Sequence, residues 1–282
     1  MDISPEPGWD RLIRFLRVEQ GIVMLLGETD SGKTTLARYI VESLIERHLP
    51  VALIDSDIGQ SAIGLPGTIS VKIFRHHKDL EDFGCERMTF LGFTNPATVT
   101  PLMVDMTRYM TLIGRRRAGV GVVDTTGLVT GKLGKVLKIA KIRAIRPKHV
   151  VAIQKENELE EILSLIREAK IHRLRVSSVA KRRSAAARRA YRKRKLQDYF
   201  KTGSQCERIF DSKDVQFLYR GRPFFLGEKE MPDGAIIGLN HDNNTLALGV
   251  IKGIEGRSVL LQAPLRSLRG INRVVSGDMT MA

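Results

Sequence analysis

Gly21-Ile-Val-Met-Leu-Leu-Gly-Glu-Thr-Asp-Ser-Gly-Lys-Thr-Thr35 is the stretch whose reading decides the fold. Ile22 to Leu26 make an apolar run of strand length, and Gly27-x-x-x-x-Gly32-Lys33-Thr34 follows it directly. Leu36, Tyr39, Ile40, Ser43 and Leu44 then recur at helical spacing. Strand, glycine loop and helix in this order are the context in which such a loop binds phosphate. Its backbone N–H groups converge on a β-phosphate at a helix N-terminus, where the macrodipole also favours negative charge. Lys33 offers a cation to the β- and γ-phosphates, and the Thr34 hydroxyl is suited to ligate Mg²⁺. Gly27, Thr29, Asp30, Ser31, Gly32, Lys33, Thr34 and Thr35 are therefore the expected nucleotide-binding residues.

Downstream, the same texture repeats. Pro50 to Asp55, Gly119 to Asp124 and His149 to Ile153 read as buried strands. Helical patterns lie at about 100–116, around Leu133 to Ala140, and at about 156–169; Trp9 to Phe15 predicts a small helix before the first strand. Alternation of this kind predicts an α/β fold, a parallel sheet with helices on both faces. Ligands of such sheets bind at the carboxyl ends of the strands. The phosphate loop, Asp55-Ser-Asp57-Ile-Gly59-Gln60 and Asp124-Thr-Thr-Gly127 all fall there and can share one site. Asp55 and Asp57 alternate, so one is expected to face Mg²⁺ or its waters and the other an incoming nucleophile. A carboxylate beside an alcohol can accept its proton during phosphoryl transfer. Asp124-Thr-Thr-Gly127 allows two readings: the switch of a GTPase, or a clasp holding substrate with Thr125 and the Gly127 backbone. No Asn-Lys-x-Asp guanine-reading motif occurs; Gln154-Lys-Glu-Asn157 comes nearest.

The 282 residues carry 46 Lys and Arg against 31 Asp and Glu, a net charge of +15. A balance of this kind points to a polyanionic partner. Nine of the cations fall in residues 181–195, KRRSAAARRAYRKRK, which contain no acid. The alanines and arginines favour helix. Arg188 and Arg192 stack on one face, with Arg183 and Lys195 a turn away on either side. Such a helix repels itself and is expected to be ordered by an anion. Three roles fit it: a solvated or nuclear-localisation tract, a lid whose arginines stabilise a transferring phosphoryl group, or a clamp on nucleic-acid phosphates.

The N-terminus does not read as a signal peptide, and no apolar stretch reaches the length of a membrane span. Cys85 and Cys206 make neither a disulfide framework nor a zinc site, and His76-His77 read as surface residues. These features point to a cytoplasmic protein, or a nuclear one in a eukaryotic source, with no membrane partner. Past Phe200 short β-type runs (215–219, 235–239, 245–251 and 258–261) alternate with turn signals. Two domains are expected: residues 1–203, with the basic helix at about 180–200, and a small C-terminal all-β domain, 204–282.

Four segments together resemble the Clp/Grc-type polynucleotide 5′-hydroxyl kinases: the P-loop from Gly27 to Thr35, Asp55-Ser-Asp-Ile-Gly-Gln60 with Gly64-Leu-Pro-Gly-Thr68, Asp124-Thr-Thr-Gly-Leu128, and Arg183-Ser-x₃-Arg188-Arg-x₂-Arg192. The resemblance covers about residues 20–200 and extends loosely to the β domain. It implies transfer of the γ-phosphate of ATP, with Mg²⁺, to the 5′-hydroxyl of RNA or DNA. Lys33 and Thr34 would hold ATP and the metal. Asp57 would take the hydroxyl proton, with Asp55 supporting it and facing the metal. Gln60, Thr125, Thr126, Gly127 and Leu128 would bind substrate. Arg188 and Arg192 would act on the phosphoryl group, with Arg183 nearer substrate or nucleotide. Leu128 stands where the family usually has a Trp that stacks on the terminal nucleotide. The start about 20 residues before the P-loop is read as a minimal, prokaryotic form without the N-terminal β domain of larger members. The rivals are a nucleotide-switched GTPase or ATPase that binds RNA through its basic helix, and a pure nucleic-acid-binding module.

Overall fold

The computed structural model describes residues 5–202, 206–265 and 267–281. Helix α1 (Trp9–Val18) leads into β1 (Gly21–Gly27), the P-loop and α2 (Lys33–Ile45). β2 (Val51–Ser56), β3 (Thr68–Phe74), β4 (Arg87–Phe90), α3 (Thr100–Arg115), β5 (Val120–Thr125), α4 (Gly131–Ile145) and β6 (His149–Gln154) come next in the chain. The order of the first sheet is β4-β3-β2-β5-β1-β6 and, at the far edge, β7 (Lys170–Arg175). β2, β5, β1, β6 and β7 run parallel, whereas β3 and β4 fold back antiparallel on the β2 side. The central strands β1, β2, β5 and β6 are almost continuously buried, as a sheet covered on both faces requires. One face packs on α1 and α2 through Leu16, Leu36, Ile40 and Leu44. The other packs on α3 and α4 through Met103, Met110, Leu137 and Ile145.

The helix expected over 156–169 shrinks to α5 (Glu160–Leu163), and the chain then forms β7, which the sequence pattern hid. β7 reads Lys-Ile-His-Arg-Leu-Arg and is buried on neither face. Charged edge strands resist further pairing and lack the apolar signature of their central neighbours.

Helix α6 (Ala185–Thr202) is the basic helix, started by the Ser184 hydroxyl, which accepts the Ala187 N–H at 3.1 Å. The expected boundary between residues 203 and 204 lies outside the described residues. β8 (Cys206–Asp211), β9 (Gln216–Tyr219), β10 (Arg222–Phe224), β11 (Ile236–His241), β12 (Asn244–Glu255), β13 (Ser258–Ala263) and β14 (Arg273–Ser276) form a second sheet, ordered β10-β9-β14-β11-β12-β13-β8. Among the described residues, only β9 and β14 pair in parallel in it.

This sheet is joined to the edge of the first. Phe90 of β4 shares an apolar cluster with Leu196 of α6 and with Ile236, Leu248 and Val275. The Phe90 N–H donates to Thr245 Oγ1 at 2.8 Å. Gly277 lies directly against Gly92, where any Cβ would overlap backbone. The second sheet thus packs beside the β4 edge of the first.

Candidate nucleotide and acceptor site

The P-loop closes around its own lysine. Lys33 Nζ donates to the Gly27 carbonyl at 3.0 Å, the Glu28 carbonyl at 2.6 Å and Ser31 Oγ at 3.4 Å. Burial pulls its pKa down, against Asp124 and Asp57, which pull it up. Gly32, at φ +93°, sets the left-handed turn that starts α2. The loop after β5 presses on the P-loop: a Cβ at Gly127 would stand 2.3 Å from the Thr29 nitrogen. That close approach fixes the loop after β5 against the phosphate loop.

Asp55 and Asp124 are register partners on neighbouring strands. Asp55 Oδ1 accepts the Asp57 N–H at 3.0 Å. Its Oδ2 accepts Ser61 Oγ–H at 2.7 Å, Ala62 N–H at 2.6 Å and Ile63 N–H at 3.2 Å. Both oxygens are therefore engaged in folding the 57–63 loop, at the residue expected to face Mg²⁺. The acid beside the P-loop hydroxyl is Asp124: Thr34 Oγ1 donates to its Oδ2 at 2.6 Å, while its buried Oδ1 has no partner. Burial first, then the charge of Asp55, raises the Asp124 pKa to about 7. The apolar run ending in Asp124 was visible in the sequence, but its partnership with Thr34, 90 residues away, was not.

Asp57 lies just past β2. Its Oδ1 accepts the Gly59 and Gln60 N–H groups, each at 3.0 Å, so one oxygen shapes the loop. The Gln60 amide nitrogen donates to the Gly59 carbonyl at 2.7 Å, and its buried Oε1 is unpartnered.

Thr125 is not a clasp residue by its side chain. It is fully buried, donates to the Leu25 carbonyl at 2.8 Å and accepts from Lys138 Nζ at 2.8 Å. Thr126 is buried as well and receives Lys138 at its carbonyl at 2.5 Å. Leu128 is half-buried against the core cluster of the α3–α4 face. Lys138 and Lys141, one turn apart on α4, were not anticipated. Both are wholly buried, and Lys141 bonds the Ser56 hydroxyl between the two acids. Burial lowers the pKa of both, that of Lys141 to about 7. Isolated in an amphipathic helix pattern, they carried no sign that they point inward.

The basic helix is docked across the mouth. Arg188 Nη2 pairs with Asp30 Oδ2 at 2.7 Å, and the Arg183 N–H reaches the same oxygen at 2.9 Å. Arg192 Nη1 lies 3.5 Å from the Gly59 carbonyl. Tyr191 donates to the Ser61 carbonyl at 2.9 Å. Lys195 spans the Ser61, Ala62 and Gly64 carbonyls at 2.9, 3.1 and 2.8 Å. Tyr191 belongs to the same face by its spacing of three from Arg188 and four from Lys195. Protein contacts, not only an anion, therefore hold this helix. The arrangement gathers Lys33, Thr34, Asp57, Gln60, Asp124, Gly127, Arg188 and Arg192 at one mouth. It leaves Thr125 and Asp55 as supports behind it.

The sheet, the glycine loop and this mouth define a P-loop nucleotide-binding protein. The chain belongs to the family described as mRNA cleavage and polyadenylation factor CLP1 P-loop, whose model matches residues 27–202. It is similar to the polyribonucleotide 5′-hydroxyl-kinase of Pyrococcus horikoshii, with 34% identity over 74% of this chain and 58% of that protein. The corresponding protein of Pyrococcus abyssi is 35% identical over 78% of this chain and 62% of its own length. The match thus spans about three fifths of these relatives. The solved structure titled as a wild-type Clp1p–Pcf11p complex superposes with a TM-score of 0.75 at 13% identity, over 96% of this chain and 78% of that one, and shows the fold.

Proposed function

We propose that this protein transfers the γ-phosphoryl group of ATP to the 5′-hydroxyl end of RNA or DNA. One observation carries the reading. Among the described residues four buried side-chain polar atoms lack a hydrogen-bond partner. Three of them, Gln60 Oε1, Asp124 Oδ1 and Arg188 Nε, border this mouth. Buried polar groups are normally satisfied, so a cluster of orphans marks groups kept for a ligand. The names of the archaeal relatives supply the acceptor class.

In this reading Lys33 and the P-loop N–H groups hold the β- and γ-phosphates. Thr34 and Asp124 fit Mg²⁺, since an unpartnered carboxylate oxygen stands beside a hydroxyl; the metal would neutralise charge on the β- and γ-oxygens. The nucleoside extends into the cavity of about 330 Å³ that opens from Glu28–Ser31 toward Lys155, Glu158 and Arg175. The acceptor oxygen bonds to the γ-phosphorus as the bond to the β–γ bridging oxygen breaks. Asp57, through the oxygen not used in its loop, takes the hydroxyl proton. Arg188 exchanges Asp30 for the transferring group, and Arg192 approaches from the Gly59 side.

The test incubates the protein with γ-labelled ATP or GTP and 5′-hydroxyl RNA and DNA oligonucleotides, with Lys33→Ala as control. Label on the strand, lost in the control, supports the kinase. Label released only as free phosphate favours the nucleotide-switched rival.

A further inference from the structure

The loop that carries Asp57 leads away from the P-loop to a second surface. A side chain at Gly59 would meet the Thr94 carbonyl at 3.2 Å, so the segment after β4 runs alongside the acceptor loop. Phe93, next to Thr94, is buried, and its ring centroid lies 5.6 Å from that of Tyr219 at the end of β9. The Tyr219 hydroxyl donates to Asp278 Oδ1 at 3.0 Å, and the Asp278 N–H donates to the Gly92 carbonyl at 2.9 Å. The ring is thereby fixed to the edge of the catalytic sheet.

Two cations attend the Tyr219 ring. Lys229 Nζ stands 4.0 Å and the Arg220 guanidinium 5.3 Å from its centroid, and Arg220 is also 5.5 Å from that of Phe93. Arg220 is exposed, at the tip of the β9–β10 turn, with Tyr219 and Lys229 half-buried beside it. Among the described residues neither cation forms an ion pair with a carboxylate. Strand order also matters here. The cavity beside the P-loop opens toward β6 and β7, so the acceptor side lies toward β2, β3 and β4, where this cluster stands.

We propose that Tyr219, Arg220 and Lys229 form a second polynucleotide-binding station, which holds the acceptor strand beyond its 5′-terminal nucleotide. The proposal rests on the kinase reading and assigns the C-terminal sheet a part in substrate binding. An anchored ring whose two cations have no carboxylate partner matches a single strand: its phosphates draw the cations, and the ring face they leave is open to a base. Leu128, which can only pack, offers the terminal base no ring. A downstream station supplies grip that the clasp position lacks.

The test compares binding of 5′-hydroxyl single strands of about 2 and about 12 nucleotides, the longer within the usual span of single-strand sites. Wild-type protein and Arg220→Ala/Lys229→Ala are followed by fluorescence anisotropy over a salt series. The wild type is expected to bind the longer strand at least about tenfold more tightly than the shorter. The double variant should lose most of that advantage. Its slope of log affinity against log salt should flatten by about 1.4, or about 0.7 for each phosphate no longer neutralised. Melting temperatures of both proteins, and the single variant Arg220→Glu at an exposed position, separate a weakened strand grip from a damaged fold. A folded double variant that keeps both the length advantage and the slope overturns the proposal. So does an acidic peptide that binds this cluster while the strand does not. A wild type that shows the length advantage, loses it in the variant, yet transfers no label sinks the kinase reading and leaves this station standing.

Discussion

Asp55 and Asp124 occupy equivalent positions on adjacent parallel strands, side by side in the sheet register and almost equally buried. Their environments oppose each other. Asp55 accepts four hydrogen bonds, three from backbone N–H groups and one from a hydroxyl. Asp124 accepts one, from the P-loop threonine, and keeps a bare oxygen. The difference arises in the loop at the end of each strand. Beyond Asp55 the chain curls back over 57–63 and fills the carboxylate. Beyond Asp124 the chain bends at Gly127 against the P-loop, and the acid's one hydrogen bond comes from Thr34. A carboxylate whose lone pairs are filled by the protein is a structural part; one held short of satisfaction is available for chemistry.

The largest effect should come from the unsatisfied member. Asp124→Asn keeps the volume but removes a charge suited to the metal. Phosphoryl transfer is expected to fall about 10³-fold, equivalent to about 4 kcal/mol, with little change in melting temperature. Single-turnover transfer across a Mg²⁺ titration measures it. A loss of less than about tenfold would return the metal to Asp55.

The satisfied member should answer in stability instead. In Asp55→Asn, the amide nitrogen must face at least one N–H or hydroxyl donor that the carboxylate accepted. The expected cost is about 2–3 kcal/mol, or roughly 5 °C or more in melting temperature for a chain of this size. Calorimetry of the nucleotide-free protein reads this directly. An unchanged melting temperature with abolished transfer would reverse the roles of the two acids.

A pH series separates the buried acid from the buried base behind it. The carboxyl of Asp124 is raised from 3.8 to about 7 by burial and the neighbouring Asp55. Between those values the folded protein holds a proton that the unfolded chain has lost, so stability falls as pH rises, by about 2 kcal/mol from pH 5 to 7. Lys141 is lowered from 10.5 to about 7 by burial. Above pH 7 the unfolded chain holds the extra proton, and stability climbs again by about 2 kcal/mol from pH 7 to 9. Asp55 is raised and Lys138 lowered by the same burial, so both bend the curve as well. Urea midpoints without nucleotide or Mg²⁺ are therefore compared between wild type and Asp124→Asn: the variant should gain stability relative to the wild type between pH 5 and 7 and run parallel to it from pH 8 to 9. A constant difference between the two across pH 5–7 contradicts this account.

The same contrast explains how much was legible in the sequence alone. The P-loop was readable because its motif is local: strand, glycine loop and the first residues of the helix occupy 15 consecutive residues. The arginine face of α6 was readable from helical spacing, and the parallel core from its apolar runs. The strands ending in Asp55 and Asp124 looked alike because both are apolar runs closed by an acid. Only contacts distant in the chain, Thr34 to Asp124 and Ser61 to Asp55, tell them apart. β7 was hidden by the charges that protect a sheet edge, and Lys138 and Lys141 by being lysines in a helix that otherwise reads as amphipathic. The fold was written in periodicity; the division of labour among the acids was written in non-local hydrogen bonds.

Asp30 extends the comparison to a third carboxylate, satisfied by a backbone N–H together with a guanidinium from the basic helix. Burial by itself would raise its pKa, yet the Arg183 N–H and the Arg188 guanidinium hold it below the usual range. Its side chain is 15% exposed and that of Arg188 29%, so the pair contributes only about 1 kcal/mol. Its position gives that small energy a direction. Asp30 sits in the P-loop at φ +61°, where under the proposed function it would compete with nucleotide phosphates for Arg188. Asp30→Asn retains a residue that tolerates this backbone and removes the competing charge. Affinity for ATP is then expected to rise about threefold to fivefold at low salt, and the gain should shrink as ionic strength screens it. Isothermal titration at two salt concentrations measures both. An affinity that falls instead would mean that Asp30 serves the nucleotide site directly rather than restraining the lid.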